Sequence, residues 1–264
     1  MKCKDIISCL EQLSPRKYAC DWDNVGLLVG RKEKEVQKIM VALDASNEVV
    51  EYAIKEQVDM LITHHPLIFS ALKQINEEQF IANKVLSLAE NGIAYYAMHT
   101  NFDAAGGMAE LAASDSYLNL SDTEPMELCS EDGTGMGRYG KLPVPMTAAE
   151  VATYVKDKFH LSYVTLYQSA TDKEKVFDSI AVMPGSGKSF MKEVKAKGYE
   201  LYLTGDFGHH EGIDAMDMGL TVIDATHYGL EHIFISFISE YLKSQWKDEL
   251  TIIEADMGCP GKVL

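Results

Sequence analysis

The sequence predicts an α/β protein of two related lobes with largely parallel sheets. Short apolar segments alternate with amphipathic ones, which is typical of strands connected by helices. The same order of segments recurs in the second half, and polar residues follow the apolar segments at their carboxyl ends. A composition of 47% apolar and 24% charged residues is that of an ordinary globular protein.

The first half supplies the clearest elements. Residues 4–13 place Ile6, Ile7, Leu10 and Leu13 at helical spacing. Gly92 closes a later helix, since glycine favours the position after a helix end. The remaining segments are, in order, a strand over 39–43, a helix over 47–57, a strand over 58–65, a helix over 83–92 and a strand over 93–103.

A change of composition marks the predicted boundary. Residues 121–145 are dense in Gly, Pro and acidic residues, which favours a connection. We therefore predict a first lobe over 1–124 and a second over 125–264, with 220–264 packing back on the first. The sequence TAAE at 147–150 matches a capping box and predicts the start of a helix.

The second half repeats the spacing of the first. Ile39 and Thr63 are 24 residues apart, as are Ile180 and Thr204. Each window holds an apolar strand, an amphipathic helix and a second strand, and each is followed by a polar pair. This regularity favours a duplicated α/β unit over coincidence.

Chemistry-bearing side chains gather at the predicted strand ends, and six of the eight histidines lie there. In α/β sheets, ligands bind outside the carboxyl ends of the strands. The polar residues at these positions are His64, His65, His99, Asp103, Asp206, His209, His210, His227 and Glu231.

Imidazole and carboxylate together suit Zn, Fe, Mn, Co or Ni, and the absence of thiols nearby argues against a structural cysteine-zinc site. Pro66 restricts His65 to extended geometry, so the adjacent histidines can face two neighbouring ions. His227 and Glu231 share one face if HYGLE is helical. We therefore predict two divalent ions per chain, at the strand ends between the lobes. Their predicted ligands are His64, His65, Asp103, His227 and Glu231.

Packing is the competing interpretation for each histidine, since a histidine at a strand end often caps or hydrogen-bonds. We assign His160 and His232 to structural or surface positions. His99 could orient or supplement a ligand. His209 and His210 stand open between a role in supporting the ligands and plain surface. For proton transfer the candidates are His99 and His209.

Other patterns exclude function classes. The segment MPGSGKS at 183–189 has Val182 where a phosphate loop needs glycine, and no G-x-S-x-G motif is present. A formal net charge of −16 disfavours nucleic acid as a partner. Only Arg138 and Lys188 are candidates for phosphate contacts.

Cysteine usage and hydropathy bear on location. The five cysteines are scattered without a C-x-x-C pair, which favours thiols in a reducing compartment. The first residues carry charges where a signal peptide has its apolar core, and no apolar run is long enough to span a bilayer. We expect a cytoplasmic protein that does not enter membranes.

Six motifs resemble those of one family. They are WDNVGLLVG (22–30), ITHHPLIF (62–69), HTNFDAAGGM (99–108), GMGRYGKL (135–142), TGDFGHHE (204–211) and IDATHYGLE (223–231). In this order they resemble the Nif3-like proteins. These are also labelled GTP cyclohydrolase 1 type 2 homologues, or dinuclear metal centre hexameric proteins.

The resemblance covers nearly the whole chain and corresponds to the short form, which lacks an inserted domain. It implies a Nif3-like fold, a toroidal homohexamer, and a dimetal centre held by His64, His65, Asp103, His227 and Glu231. Phe102 and the sequence DATHY depart from common family patterns without removing a ligand.

The resemblance implies a metal-dependent hydrolase acting on a nucleotide such as GTP, or on another phosphorylated metabolite, through a metal-activated water. The alternative from a different class is a metal-binding regulatory or metal-delivery protein without turnover. An assembly scaffold whose metals are incidental is a third interpretation.

Overall fold

The computed structural model describes residues 1–105 and 107–263, apart from the side chain of residue 248. The chain forms two compact units. The first consists of Met1–Ala105 and Phe234–Gly258, and the second of Gly106–Ile233 and Cys259–Leu264.

This division differs from the predicted boundary after residue 124. Ser121–Glu124 is a strand at the edge of the second unit's sheet, so the boundary precedes it. The segment that returns to the first unit is Phe234–Gly258, which is shorter than the predicted 220–264. The reason is that Thr221–Asp224 is an inner strand of the second unit's sheet.

The first unit alternates helices and strands in its N-terminal part. Its elements are α1 (Cys3–Leu13), β1 (Gly26–Val29), β2 (Lys38–Ala42), α2 (Asn47–Lys55), β3 (Met60–Thr63), α3 (Phe80–Glu90), β4 (Ala94–Ala97) and α4 (Thr100–Ala104).

The second unit follows directly along the chain. Its elements are α5 (Met108–Ala113), β5 (Ser121–Glu124), β6 (Glu127–Leu128), β7 (Gly135–Met136), β8 (Arg138–Thr147), α6 (Ala148–Lys158), β9 (Thr165–Tyr167), β10 (Val176–Ser186), α7 (Met191–Ala196), β11 (Leu201–Gly205), α8 (His209–Asp217), β12 (Thr221–Asp224) and α9 (His227–Glu231). The chain then forms α10 (Ile233–Trp246) and β13 (Thr251–Ala255), and β13 joins the first unit's sheet.

The two larger sheets have similar strand arrangements, and β6 and β7 form a separate two-stranded sheet. The first has the order β1-β4-β3-β2-β13, parallel except for β1. The second has the order β5-β8-β10-β11-β12-β9, in which β10, β11 and β12 are parallel and the outer pairings are antiparallel. The first therefore has four parallel strands and the second has three, and in each the parallel strands are followed by an antiparallel edge strand, β1 or β9. The predicted α/β class with two related lobes is therefore confirmed, although the second sheet is mixed.

Continuous apolar runs explain the central strands. Residues 39–42 and 60–62 are fully buried, as expected of parallel strands covered on both faces. The helices begin where the sequence supplies caps. The Ser46 side chain accepts the N–H of Val49, and Thr147 with Glu150 forms the predicted capping box.

The region predicted as a connection contains strands. β8 runs through Gly140, Pro143 and Pro145, and still pairs with both β5 and β10. The prolines are tolerated because the β8–β10 register is irregular between Lys141 and Met146, where ladder hydrogen bonds are interrupted.

The strand predicted over 93–103 is also shorter than expected. β4 ends at Ala97, and the carbonyl of His99 then accepts the N–H of Phe102 and of Asp103, which starts α4. Asp103 therefore lies on a short helix. No helix within the described ranges combines the length and apolar character that a bilayer crossing requires.

Candidate functional site

His64 follows the end of β3 and is fully buried. Its Nδ1 lies 2.8 Å from the carbonyl oxygen of Met98. Since a carbonyl only accepts, Nδ1 carries the proton and donates, and the lone pair belongs to Nε2. His64 Nε2 lies 3.6 Å from Asp103 Oδ1, on α4.

His65 is oriented in the same manner by a different acceptor. Its Nδ1 lies 2.8 Å from Asp44 Oδ1, just beyond the end of β2, and its backbone N–H donates to Leu43. The two adjacent rings have centroids 4.8 Å apart and are tilted by 54°.

A buried hydroxyl fixes the backbone that presents this pair. Tyr95 on β4 donates to the carbonyl of His65 at 2.9 Å and accepts the N–H of Leu67 at 2.8 Å. Its oxygen also lies 2.6 Å from Thr63 Oγ1. Burial raises the pKa of Tyr95, so the hydroxyl stays neutral. The loop after β3 is therefore held from inside the sheet.

His99 joins the histidine pair. Ring nitrogens of His64, His65 and His99 lie within 4.8 Å of one another, close enough to share an ion. Both carboxylate oxygens of Asp23 lie 3.0 Å from His99 Nδ1. His99 is thus part of the candidate site in the first unit.

Asp23 is a buried carboxylate that the sequence did not single out. Thr100 donates to it from the backbone at 3.0 Å and from the hydroxyl at 2.6 Å. Burial alone would raise the pKa of Asp23, but the hydrogen bonds from His99 and Thr100 outweigh burial and lower it to about 2. Asp23 is therefore an anion that orients His99.

The second unit carries its own pair of candidate ligands. HYGLE forms α9 as predicted, and His227 Nε2 lies 3.0 Å from Glu231 Oε2. His227 Nδ1 lies 2.7 Å from Asp206 Oδ2. Glu231 is 3% exposed, so its carboxylate lies in an environment where charge must be compensated.

The turn before α9 has a strained backbone that hydrogen bonds hold in place. Thr226 has φ +64°, and its side chain accepts the N–H of Gly229. Asp224 accepts the N–H groups of Thr226 and Phe207, at 2.8 and 3.1 Å. Burial raises the pKa of Asp224 despite these bonds. A left-handed threonine is costly, so its surroundings hold it in place.

Other predicted residues lie apart from these groups. His209 and His210 are exposed in the first turn of α8, with their ring centroids 5.3 Å from each other. Within the described residues, neither joins a group of three or more candidate ligand atoms close enough to share an ion. Arg138 is buried and donates to Glu110 and to two backbone carbonyls.

One feature is common to the imidazoles of His64, His65, His99 and His227. In each, Nδ1 faces an oxygen acceptor, and three of the four acceptors are aspartates. Histidines that bind metals characteristically donate their other nitrogen to a carboxylate or carbonyl. Neutral imidazoles with carboxylates suit divalent transition metals, so the residues present in each unit fit metal binding.

Sequence reasoning missed two of the three aspartates that hold these rings, and named only Asp206 among the strand-end residues. Asp44 lies 21 residues from His65 and Asp23 lies 76 residues from His99, so no local pattern pairs them. The only sequence signal was the position of Asp44 just after an apolar strand, where the other polar residues were found.

Comparisons with known proteins agree with this architecture. A "GTP cyclohydrolase 1 type 2 homolog" of Methanocaldococcus jannaschii is 35% identical over 259 residues, covering 97% of this chain and 100% of the relative. One of the same description from Clostridium acetobutylicum is 31% identical, covering 92% and 90%. A Bacillus cereus protein related to NIF3 has the same fold, with a TM-score of 0.89 at 22% identity, covering 100% and 99%.

The family model described as Duf34/NIF3 (NGG1p interacting factor 3) matches residues 1–258. Because this match spans nearly the whole chain and relatives above 30% identity cover it almost completely, the chain belongs to the Duf34/NIF3 family.

Proposed function

We propose that the protein binds two divalent metal ions per chain and is a metal-dependent hydrolase. The proposed ligands are His64, His65, Asp103, His227 and Glu231. One observation carries the proposal: the imidazoles of His64, His65 and His227 each have Nδ1 against an oxygen acceptor, as metal-binding histidines do. The donor set fits Zn, Fe, Mn, Co or Ni.

Divalent ions, when bound, supply Lewis acidity and make water a nucleophile near neutral pH. The residues of the chain would bind the ions and transfer the proton. Asp103 and Glu231 would be engaged as ligands, so proton transfer falls to His99, whose Nδ1 is held by Asp23. Since His99 donates from Nδ1, its Nε2 is the atom that accepts a proton. His209 is a second candidate for this role, with less support because it is exposed on α8.

The proposed substrate is a nucleotide, as in a GTP cyclohydrolase 1 type 2-like reaction, or another phosphorylated metabolite. One observation favours the non-catalytic alternative of metal regulation or delivery. Arg138 donates to protein acceptors and Lys188 lies 3.9 Å from Glu211. Arg138 is therefore committed to protein acceptors, and Lys188 alone, through a long ion pair with Glu211, has an exposed charge that could contact a phosphate.

Metal content tests the first step. Elemental analysis of the purified protein should give about two ions per chain. His64→Ala should lower that number, whereas His160→Ala, at an exposed histidine outside the proposed site, should leave it unchanged. An equal metal content in all three proteins would overturn the ligand assignment.

Turnover separates the two functional classes. Metal-loaded protein is assayed with nucleotides for formate release and with phosphoesters for phosphate release. The hydrolase proposal expects one product, at a rate per bound metal ion that falls with His99→Ala. Full metal content with no turnover on either class would favour regulation or delivery.

We also propose a toroidal homohexamer in the cytoplasm. Analytical ultracentrifugation should give a mass six times the 29.3 kDa chain. A smaller assembly at the same concentration would contradict the hexamer, and cell fractionation tests the location.

A further inference from the structure

Two exposed aromatic side chains stand beside the imidazole cluster of the first unit. Trp22 is 63% exposed and Phe69 is 54% exposed. Their rings are nearly parallel, with an interplanar angle of 15° and centroids 6.4 Å apart. Contiguous exposed aromatic area is uncommon on a folded protein and marks interaction sites.

The pair contacts His99 directly. The His99 ring lies edge-on to both, with centroids 6.0 Å from Trp22 and 5.6 Å from Phe69. His99 in turn lies 5.2 Å from the ring of His64 and 5.6 Å from that of His65. A flat molecule resting on the aromatic pair would therefore have one edge near the candidate proton-transfer group.

Hydrogen bonds fix the two chain segments that carry these aromatic residues. Asn24 donates its side-chain N–H to the carbonyl of Ile68 at 2.6 Å, which ties the loop after Trp22 to the residue before Phe69. Asp23, the residue after Trp22, is anchored by Thr100. The pair is thus preorganised, and a ligand would bind it at lower entropic cost than mobile side chains.

We propose that Trp22 and Phe69 form a stacking platform for the planar heteroaromatic ring of a small molecule, with a purine base as the chemical class. This inference rests on the proposed function and selects, between its substrate classes, the one recognised by a ring instead of a phosphate. Stacking suits any flat π-face and needs no basic side chain, consistent with the scarcity of available cations described above.

Fluorescence of Trp22 provides the test. The chain has two tryptophans, so Trp246→Phe leaves Trp22 as the only tryptophan reporter. Metal-loaded Trp246→Phe protein is titrated with guanosine, GTP and ribose 5-phosphate. We expect saturable quenching by guanosine and GTP, and none by ribose 5-phosphate.

Binding of guanosine to Phe69→Leu should be about tenfold weaker, since the aromatic face is lost while an apolar side chain stays. Phe80→Leu is the matched control, because Phe80 is also exposed, at 73%, but begins α3. Its guanosine affinity should equal that of the parent. Equal weakening in both variants, or equal quenching by ribose 5-phosphate, would overturn the platform.

Two further readouts keep the outcomes distinct. If Trp22 emission depends on protein concentration without ligand and guanosine has no effect, the aromatic pair is a contact between copies and the platform is overturned. Metal content is measured on the same samples. Guanosine binding with no bound metal would overturn the metal proposal and support the platform, whereas full metal content without guanosine binding would overturn the platform alone.

Discussion

Gly185 lies directly against the carboxylate of Glu231: a Cβ atom at residue 185 would come within 2.5 Å of Glu231 Oε1. The same atom would lie 3.6 Å from His227 Nε2. Gly185 also has φ +73°, which side chains rarely adopt. Only glycine lets the end of β10 approach this pair so closely.

Gly185→Ala is expected to weaken metal binding by at least about tenfold, because the methyl group displaces the Glu231 carboxylate. The positive φ adds a loss of about 1–2 kcal/mol in unfolding free energy. Metal titration and urea unfolding measure the two effects separately. Gly198→Ala is the control, since Gly198 has φ +96° and open space around it, so it should lose stability and keep its metal affinity.

Asp44→Asn and Asp206→Asn should each reduce metal affinity by about 10–100-fold. Each aspartate accepts from the Nδ1 of a proposed ligand, and an amide is a weaker acceptor that can present its N–H instead. Stability should change little, because their side chains are 59% and 50% exposed. Asp122→Asn, at an exposed aspartate that pairs with Lys141, is the control. Affinities equal to that of the control would contradict this role.

The lowered pKa of Asp23 predicts that the free energy of unfolding falls in acid. Its folded-state pKa of about 2 lies below the ordinary value of 3.8, so its contribution is fully present above pH 3.8. It is lost as the pH falls through about 2. The shift corresponds to about 2 kcal/mol for this buried carboxylate.

Urea unfolding of chelator-treated wild type and Asp23→Asn between pH 6 and pH 3 measures this contribution. We expect the variant to be less stable at pH 6, and the difference to shrink towards pH 3 as the wild type begins to lose its contribution. A difference that is constant with pH would mean that the carboxylate charge is irrelevant and that the variant loses only packing.

Tyr95→Phe removes the hydroxyl that holds the loop after β3. It leaves the N–H of Leu67 and the carbonyl of His65 without this partner in a buried region, at a cost of about 2–3 kcal/mol. Thermal or urea unfolding measures the loss. Tyr96→Phe on the same strand is the control, since the Tyr96 hydroxyl makes one long bond of 3.4 Å to Glu11 and should cost under about 1 kcal/mol.

Much of the fold follows from local pattern. The apolar runs of β2, β3 and β4 and the helices between them are recognisable because buried parallel strands and amphipathic helices have different periods. The 24-residue spacing from Ile39 to Thr63, and again from Ile180 to Thr204, corresponds to matching parallel strand pairs in the two units. Strand-end positions likewise brought His64, His65 and Asp103 into one group, and their role as metal ligands stays a prediction.

What escaped prediction depends on contacts distant in sequence. β8 forms despite Pro143 and Pro145 because β5 and β10 flank it, and propensity alone favours a connection there. The unit boundary was placed too late for the same reason. The pairing of His99 with Asp23 arises from tertiary folding, and periodicity carries no information about it.

The position of β13 has a consequence for synthesis of the chain. β13 pairs with β2 in the first unit, yet it is made only after the whole second unit. While the nascent chain leaves the ribosome, β2 is an uncovered edge whose residues 39–42 are fully apolar. Such an edge recruits other strands and promotes aggregation. The first unit therefore begins to form first but its sheet is completed last. A chain interrupted before residue 251 would leave β2 as an exposed, aggregation-prone edge.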